Sequence, residues 1–253
     1  METAHVRIVE AAIHETKRLF LEGDDTLPAF YALMPPAWPE CDAFESALLA
    51  GDRHGARALL GRCLDQGHGL VDVEMHLIQP ALYAIGKKWQ NNQVTVAQEH
   101  LATAIAQSLM SQALATCEAP PPNGRSVVLA CVEGNNHSVG LQMVTDAFQL
   151  GGWEVQYLGA NVPTSALVTH VGHYRPNLLA LSVSFPQQLR VVKDILARLM
   201  QLYGAARVPV IVGGLAINQF DRLAGQLGAD AWSPDAHAAV ATGSHLAARP
   251  EPG

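Results

Sequence analysis

The run Ala119-Pro120-Pro121-Pro122-Asn123-Gly124 divides this chain into two halves that cannot share one architecture. Three consecutive prolines followed by Asn-Gly cannot continue a helix, so 119–124 reads as a linker. Before it, apolar residues recur at helical spacing. Phe44, Leu48 and Leu49 start one helix, and Ala56, Leu59, Leu60, Cys63 and Leu64 mark a second. Val71, Met75, Ile78, Leu82 and Ile85 form a third stripe, which Pro80 should kink or end in its first part. Val96 through Leu114 is a fourth, with Leu101, Ile105 and Leu109 on one face. Four short helices with short connections predict an antiparallel bundle over 39–118. Residues 1–38 add an amphipathic helix (Val6, Val9, Ile13, Phe20), followed by a Pro-rich arm that runs from Pro28 to Pro39.

After the linker the period changes. Short apolar runs at Val127–Val132, Glu154–Leu158, Leu178–Val183, Pro209–Val212 and Ala229–Trp232 alternate with helical segments beginning near Ser138, Pro163, Gln187 and Asn218. Such alternation gives a parallel sheet with right-handed crossovers. Residues 125–253 are therefore expected to form a five-stranded, doubly wound Rossmann-like domain. In a flavodoxin-like strand order the loops Gly134–Gly140, Ser182–Pro186 and Gly213–Leu215 lie side by side at one end of the sheet.

Composition narrows the possible functions. The 253 residues carry a formal charge of −7 with only 16 Lys and Arg and no basic cluster, which argues against direct nucleic-acid binding. No apolar stretch is long enough to span a bilayer, and Met1 to Glu10 lacks a signal-peptide pattern. Cys41, Cys63, Cys117 and Cys131 are scattered without a CxxC pair, as expected for reduced thiols in a cytoplasmic protein.

The loop after the first strand, Asn135-Asn136-His137-Ser138-Val139-Gly140, presents a histidine where open α/β sheets bind their ligands. A histidine so placed is either a metal or cofactor ligand or an ordinary loop residue. Taken singly, Ser182 also reads as a core hydroxyl and Gly213-Gly214 as a tight strand-to-helix turn. Joint spacing separates the readings. Asn135-x-His137-x-x-Gly140, then Ser182-Val183-Ser184 after 41 intervening residues, then Gly213-Gly214, resembles the pattern of the cobalamin-binding domain family, Asp-x-His-x-x-Gly, Ser-x-Leu and Gly-Gly. The resemblance covers essentially all of 125–240.

That resemblance implies a cobalamin whose nucleotide tail threads into a slot between strands and helices, with His137 replacing it as the lower axial ligand of cobalt. It implies that Ser182 hydrogen-bonds the buried benzimidazole and that Gly140, Gly213 and Gly214 give the tail close access to backbone. Asn136, Ser138, Val139, Gly159 and Leu215 are expected to complete the contact surface. Two departures stand out: Asn135 replaces the family's Asp, and Ser184 replaces its Leu. The Asn135 amide oxygen can accept from the imidazole but brings no charge, so His137 is expected to bind cobalt more weakly than with Asp.

The bundle adds a second resemblance. Trp89, then Glu99-His100 after nine intervening residues, with Val96 between, is similar to the cap of CarH-type photoreceptors, where Trp, Glu and His surround the 5′-deoxyadenosyl group of adenosylcobalamin. Such a group offers a π-face for Trp89 and ribose hydroxyls for Glu99. Alternatively, Trp89 is a bundle-end core residue and Glu99-His100 a solvated helix start. Gln90 stands where some light sensors carry a histidine that caps cobalt after photolysis, which leaves the upper site to water or another histidine. Residues 1–38 are too short and too poor in basic residues to supply the family's DNA-binding module. The expected function is an adenosylcobalamin light sensor, not an enzyme, that signals through a separate regulatory protein or through a change in a homo-oligomer. A corrinoid carrier loaded with methylcobalamin is the alternative, as is a light-independent sensor that takes hydroxocobalamin.

Overall fold

A computed structural model describes residues 36–118, 120–218 and 223–248. The expected helix over Val6 to Phe20, and the arm up to residue 35, lie outside the described residues. In the first half, α1 (Cys41–Leu49), α2 (Arg53–Asp65), α3 (Leu70–Val73), α4 (Gln79–Gln90) and α5 (Val96–Leu114) pack around Phe44, Leu48, Leu77, Ile78, Ile85, Ile105 and Met110.

Pro80 neither ends nor breaks the third stripe. A π turn, Glu74–Ile78, joins α3 to α4, with Gln79 N–H reaching back five residues to Glu74 O. A proline lacks the N–H that would bond the carbonyl four residues earlier, here His76 O. Trp38 N–H supplies that bond at 3.0 Å. The Trp38 ring stacks on the His76 ring at 5.2 Å, and His76 Nδ1 lies 2.8 Å from Pro36 O. The wide turn thus absorbs the proline, and the chain leading into the bundle satisfies the carbonyl that the proline leaves free.

The second half forms the expected five-stranded parallel sheet. It contains β1 (Ser126–Val132), β2 (Glu154–Val162), β3 (Leu178–Ser182), β4 (Val210–Gly213) and β5 (Ala231–Trp232), in the order β2-β1-β3-β4-β5. The unbroken apolar run of β1 follows from burial on both faces. Val128, Ala130 and Val132 join one core cluster while Val127, Leu129 and Cys131 join the other. The helices are α6 (Val139–Leu150), α7 (Thr164–Tyr174), α8 (Leu189–Tyr203), α9 (Leu215–Asn218), α10 (Leu223–Leu227) and α11 (Ala236–Ala247).

Three details differ from expectation. β2 continues past Leu158 to Val162, because a bulge at Gly159 (φ +77°) lets the strand stay paired with β1. The helix expected near Asn218 already begins at Leu215. The helix α11 was not expected. Its buried positions Ala236, Ala239 and Gly243 are too small to give a periodic apolar signal. Gly243 is small by necessity: a Cβ there would lie 2.6 Å from Leu178 Cδ2.

The bundle docks on α6 and α11. Val71 and Met75 pack against Ala147 and Ala236. Gln107 Nε2 donates to Gln142 Oε1 (3.3 Å), and His237 Nε2 lies 2.8 Å from Asp72 Oδ1. Inside this interface two carboxyl groups are fully covered, Glu74 at 0% exposure and Asp146 at 3%. Neither Glu74 oxygen has a hydrogen-bond partner of ordinary geometry. Burial, reinforced by the neighbouring Asp146 carboxyl and then by Cys117, pushes Glu74 up to about 10, and burial also raises Asp146. The four cysteines are free thiols; Cys41, Cys63 and Cys131 are buried and Cys117 is half-buried.

Candidate functional site

The strand order reverses between β1 and β3, so their carboxyl-end loops open a crevice. The β1 loop is held from three directions. Gly134 (φ +82°) turns the chain, and its N–H donates to Asn161 Oδ1 at 2.7 Å. Asn161 N–H returns a bond to Asn135 O at 2.8 Å. Asn135 is completely buried: its Oδ1 accepts His137 N–H (3.0 Å), and its Nδ2 donates to Ser182 O (2.9 Å). The Asn135 amide therefore differs from its expected role. Its oxygen serves the backbone of His137 instead of the imidazole, and its nitrogen crosses to the β3 loop.

This backbone leaves the His137 side chain exposed at the loop surface, edge-on to Phe185 with ring centroids 5.0 Å apart. The protein crowded around it disfavours the imidazolium and lowers its pKa below the usual histidine value. The Glu99 carboxylate pulls the other way. A cavity of about 430 Å³ opens beside it, walled in part by Gly134, Asn136, Phe185, Gln188 and Arg190. Gly140, on the first turn of α6, and Gly159 both face open space where a Cβ would stand. Ser138 caps that turn, its carbonyl accepting the Tyr157 hydroxyl at 3.3 Å, and Val139 is half-buried behind it.

The remaining residues of the motif sit deeper. Ser182 pairs across the sheet with Cys131 on one side and Gly213 on the other. A bond from the Ser182 side chain partly offsets the burial that raises the Cys131 thiol to about 11. Gly214 needs φ +97°, and a Cβ there would meet Val183 O at 2.6 Å, while one on Gly213 would meet Ser233 O at 3.0 Å. Within the chain itself, these glycines let the β4 turn close over Val183; Ala216 N–H completes the turn by donating to Val183 O at 3.1 Å. Leu215 begins α9 beside them. Ser182, Gly213 and Gly214 do not wall the cavity at His137.

On the bundle, a capping box starts α5. Thr95 Oγ1 accepts Gln98 N–H (3.2 Å), and Thr95 N–H donates to Gln98 Oε1 (2.9 Å). The next residue, Glu99, accepts Thr103 Oγ1–H at 3.0 Å and pairs with His100 Nδ1 at 2.5 Å. His100 is largely in solvent, with 76% of its side chain exposed. Val96 is 45% exposed and Leu101 41%, so an apolar strip lies open beside Glu99. Trp89 and Gln90 are half-buried at the end of α4. Asn161, Phe185 and Gln188 were not singled out from the sequence, and Leu101, read there with Ile105 and Leu109 as one apolar stripe, is exposed while the other two are buried.

Residues 125–241 match the B12 binding domain family, and residues 40–114 match a second family described in the same words. The chain belongs to the B12-binding domain family. Its cofactor is a cobalamin. The CarH repressor of Myxococcus xanthus ("HTH-type transcriptional repressor CarH") is 30% identical over 211 residues, 81% of this chain and 70% of that protein. The CarA repressor of the same organism is 31% identical over 174 residues, and this chain spans only 57% of its length. Dimethylamine corrinoid protein 2 of Methanosarcina mazei is 28% identical over 148 residues, 56% of this chain and 68% of that protein. The monomethylamine corrinoid protein of Methanosarcina barkeri superposes with a TM-score of 0.68 at 20% identity, covering 81% of this chain and 96% of its own; the fold is shared. An exposed imidazole, an adjoining cavity and glycines without neighbours fit a bulky cobalt macrocycle. Among the described residues no helix is long and apolar enough to cross a membrane.

Proposed function

We propose that this B12-binding protein is an adenosylcobalamin light sensor that signals through a separate regulatory protein or a change in oligomeric state. The carrying observation is the exposed His137 imidazole beside a cavity of about 430 Å³ on the sheet domain, while the cap presents Glu99 next to exposed Val96 and Leu101. In this reading His137 ligates cobalt from below, and Trp89, Val96, Glu99 and His100 enclose the adenosyl group from above. Bound adenosylcobalamin would supply a photolabile cobalt–carbon bond. Glu99, already an acceptor for Thr103 and a partner of His100, is suited to hold ribose hydroxyls. Loss of the upper group would uncover the exposed strip of Val96 and Leu101, and the cap would repack against the sheet domain. Similarity to the two repressors supports the sensor.

Similarity to the dimethylamine corrinoid proteins favours a second reading, a corrinoid carrier of methyl groups. Trp89→Ala separates the two. For a sensor it is expected to weaken adenosylcobalamin by about fivefold, one aromatic contact being worth on the order of 1 kcal/mol, and to leave methylcobalamin nearly unchanged. Equal losses in titrations with both forms would favour the carrier. The direct test is the visible spectrum with adenosylcobalamin, dark and after green illumination, alongside size-exclusion chromatography. Bleaching with a change in elution supports the sensor; a photochemically silent complex refutes it.

A further inference from the structure

Gln188 closes the short 3-10 turn before α8 and is only 5% exposed, an unusual place for a glutamine. Its side chain makes three hydrogen bonds. Oε1 accepts from Ser184 N–H (3.0 Å) and Phe185 N–H (3.1 Å), and Nε2 donates to Gly134 O (2.8 Å). Two donors on one side and a carbonyl on the other fix the orientation of the amide. Leucine could make none of these bonds, and a carboxylate could make only the first two.

Asn135 spans the same gap in the opposite direction, from the β1 loop to Ser182 O. Two buried amides therefore cross-link the β1 and β3 loops, one rooted in each. His137 sits between the links. Its loop is held through Gly134, and its ring rests on Phe185, whose own N–H Gln188 also binds.

We propose that Gln188 is a positioning residue that sets the presentation of the His137 imidazole to cobalt by locking the β1 loop to the β3 loop. The inference rests on His137 being the lower axial ligand. Buried amide networks of this kind rigidify a site when every member is satisfied, and supporting groups behind a metal ligand typically govern affinity by about 10–100-fold.

The test uses the full chain at pH 8, with Q188E and the volume-conserving Q188M. The first readout needs no cofactor: amide hydrogen exchange of the apo-protein. Q188E keeps the acceptor for Ser184 and Phe185 but sets a carboxylate oxygen against Gly134 O. It should leave residues 184–185 protected and speed exchange across 134–137 by about tenfold or more. Q188M should loosen both segments. The second readout is the spectrum and affinity with hydroxocobalamin, where Q188E should lower the histidine-ligated fraction and weaken binding by about tenfold. Unchanged exchange at 134–137 in Q188E overturns the clamp, and so does a wild-type spectrum and affinity in both variants. A wild-type spectrum that His137→Ala leaves unaltered overturns the ligand reading itself, and with it the role given to Gln188.

Discussion

Replacing His137 with alanine is expected to cost this protein on the order of a hundredfold in cobalamin affinity and to remove the histidine-ligated spectrum. The magnitude follows from the geometry. Changes to groups that merely support a metal ligand typically cost about 10–100-fold, and loss of the ligand itself should reach the upper end of that range or exceed it. The imidazole needs little preparation for the task. Neighbouring protein shifts its pKa downward from the ordinary histidine value, the direction that favours the neutral, ligating form. Titration of the apo-protein with hydroxocobalamin, followed by visible absorbance, measures both effects. Alanine leaves the Asn135-to-backbone bond and the Gln188 links in place, so the loop should keep its shape while losing its ligand. Wild-type affinity and spectrum in the variant would remove His137 from the cobalt and leave the crevice without a lower ligand.

The second large effect concerns stability. In the unfolded chain Glu74 ionises near its ordinary 4.5, whereas in the folded protein burial and the adjacent Asp146 carboxyl hold its proton to about 10. Between those values the unfolded state releases a proton that the folded state keeps, so stability is greatest below about 4.5 and declines as pH rises through the window. Asp146, also raised by burial, acts in the same direction. Glu74→Gln cannot ionise, and its amide can donate to Asp146. At pH 8 the variant should be more stable than wild type by a few kcal/mol, because the wild-type chain must take up a proton at Glu74 on folding and the variant need not, or several degrees in unfolding midpoint at about 2–4 °C per kcal/mol for a chain of this size. The difference should shrink toward pH 5. The exposed Asp72–His237 pair at the rim is common to both proteins and cancels in the comparison. Thermal unfolding at several pH values reads it out; parallel pH profiles would show that Glu74 is not the source.

Much of this molecule was legible in the sequence, for identifiable reasons. β1 and β3 announce themselves because both faces are buried, which demands unbroken apolar runs. The flavodoxin-like order brings the loop of His137 beside that of Ser182, so Asn135 and Ser182, 47 positions apart in the chain, are joined by a bond of 2.9 Å from Asn135 Nδ2 to Ser182 O. Val96 and Leu114 bound α5 as expected, since Thr95 and Gln98 form a capping box. Other features left no trace. Gln188, Asn161 and Glu74 are polar residues of kinds that usually lie in solvent, and only the folded chain shows them buried or cross-linked. The helix α11 carries alanine and glycine where an apolar stripe would have revealed it. Pro80 did mark an irregularity, but the response to it, a π turn sealed by Trp38, depends on a partner about forty positions away.

That turn also has a mechanical consequence. Trp38 is bonded to His76, two residues past Glu74, and the turn carrying both lies against the sheet domain. A load applied at Trp38 therefore reaches the bundle core, against which its ring packs, and the seam between bundle and sheet at the same point. One residue thus couples the two halves of the molecule to the chain that enters them.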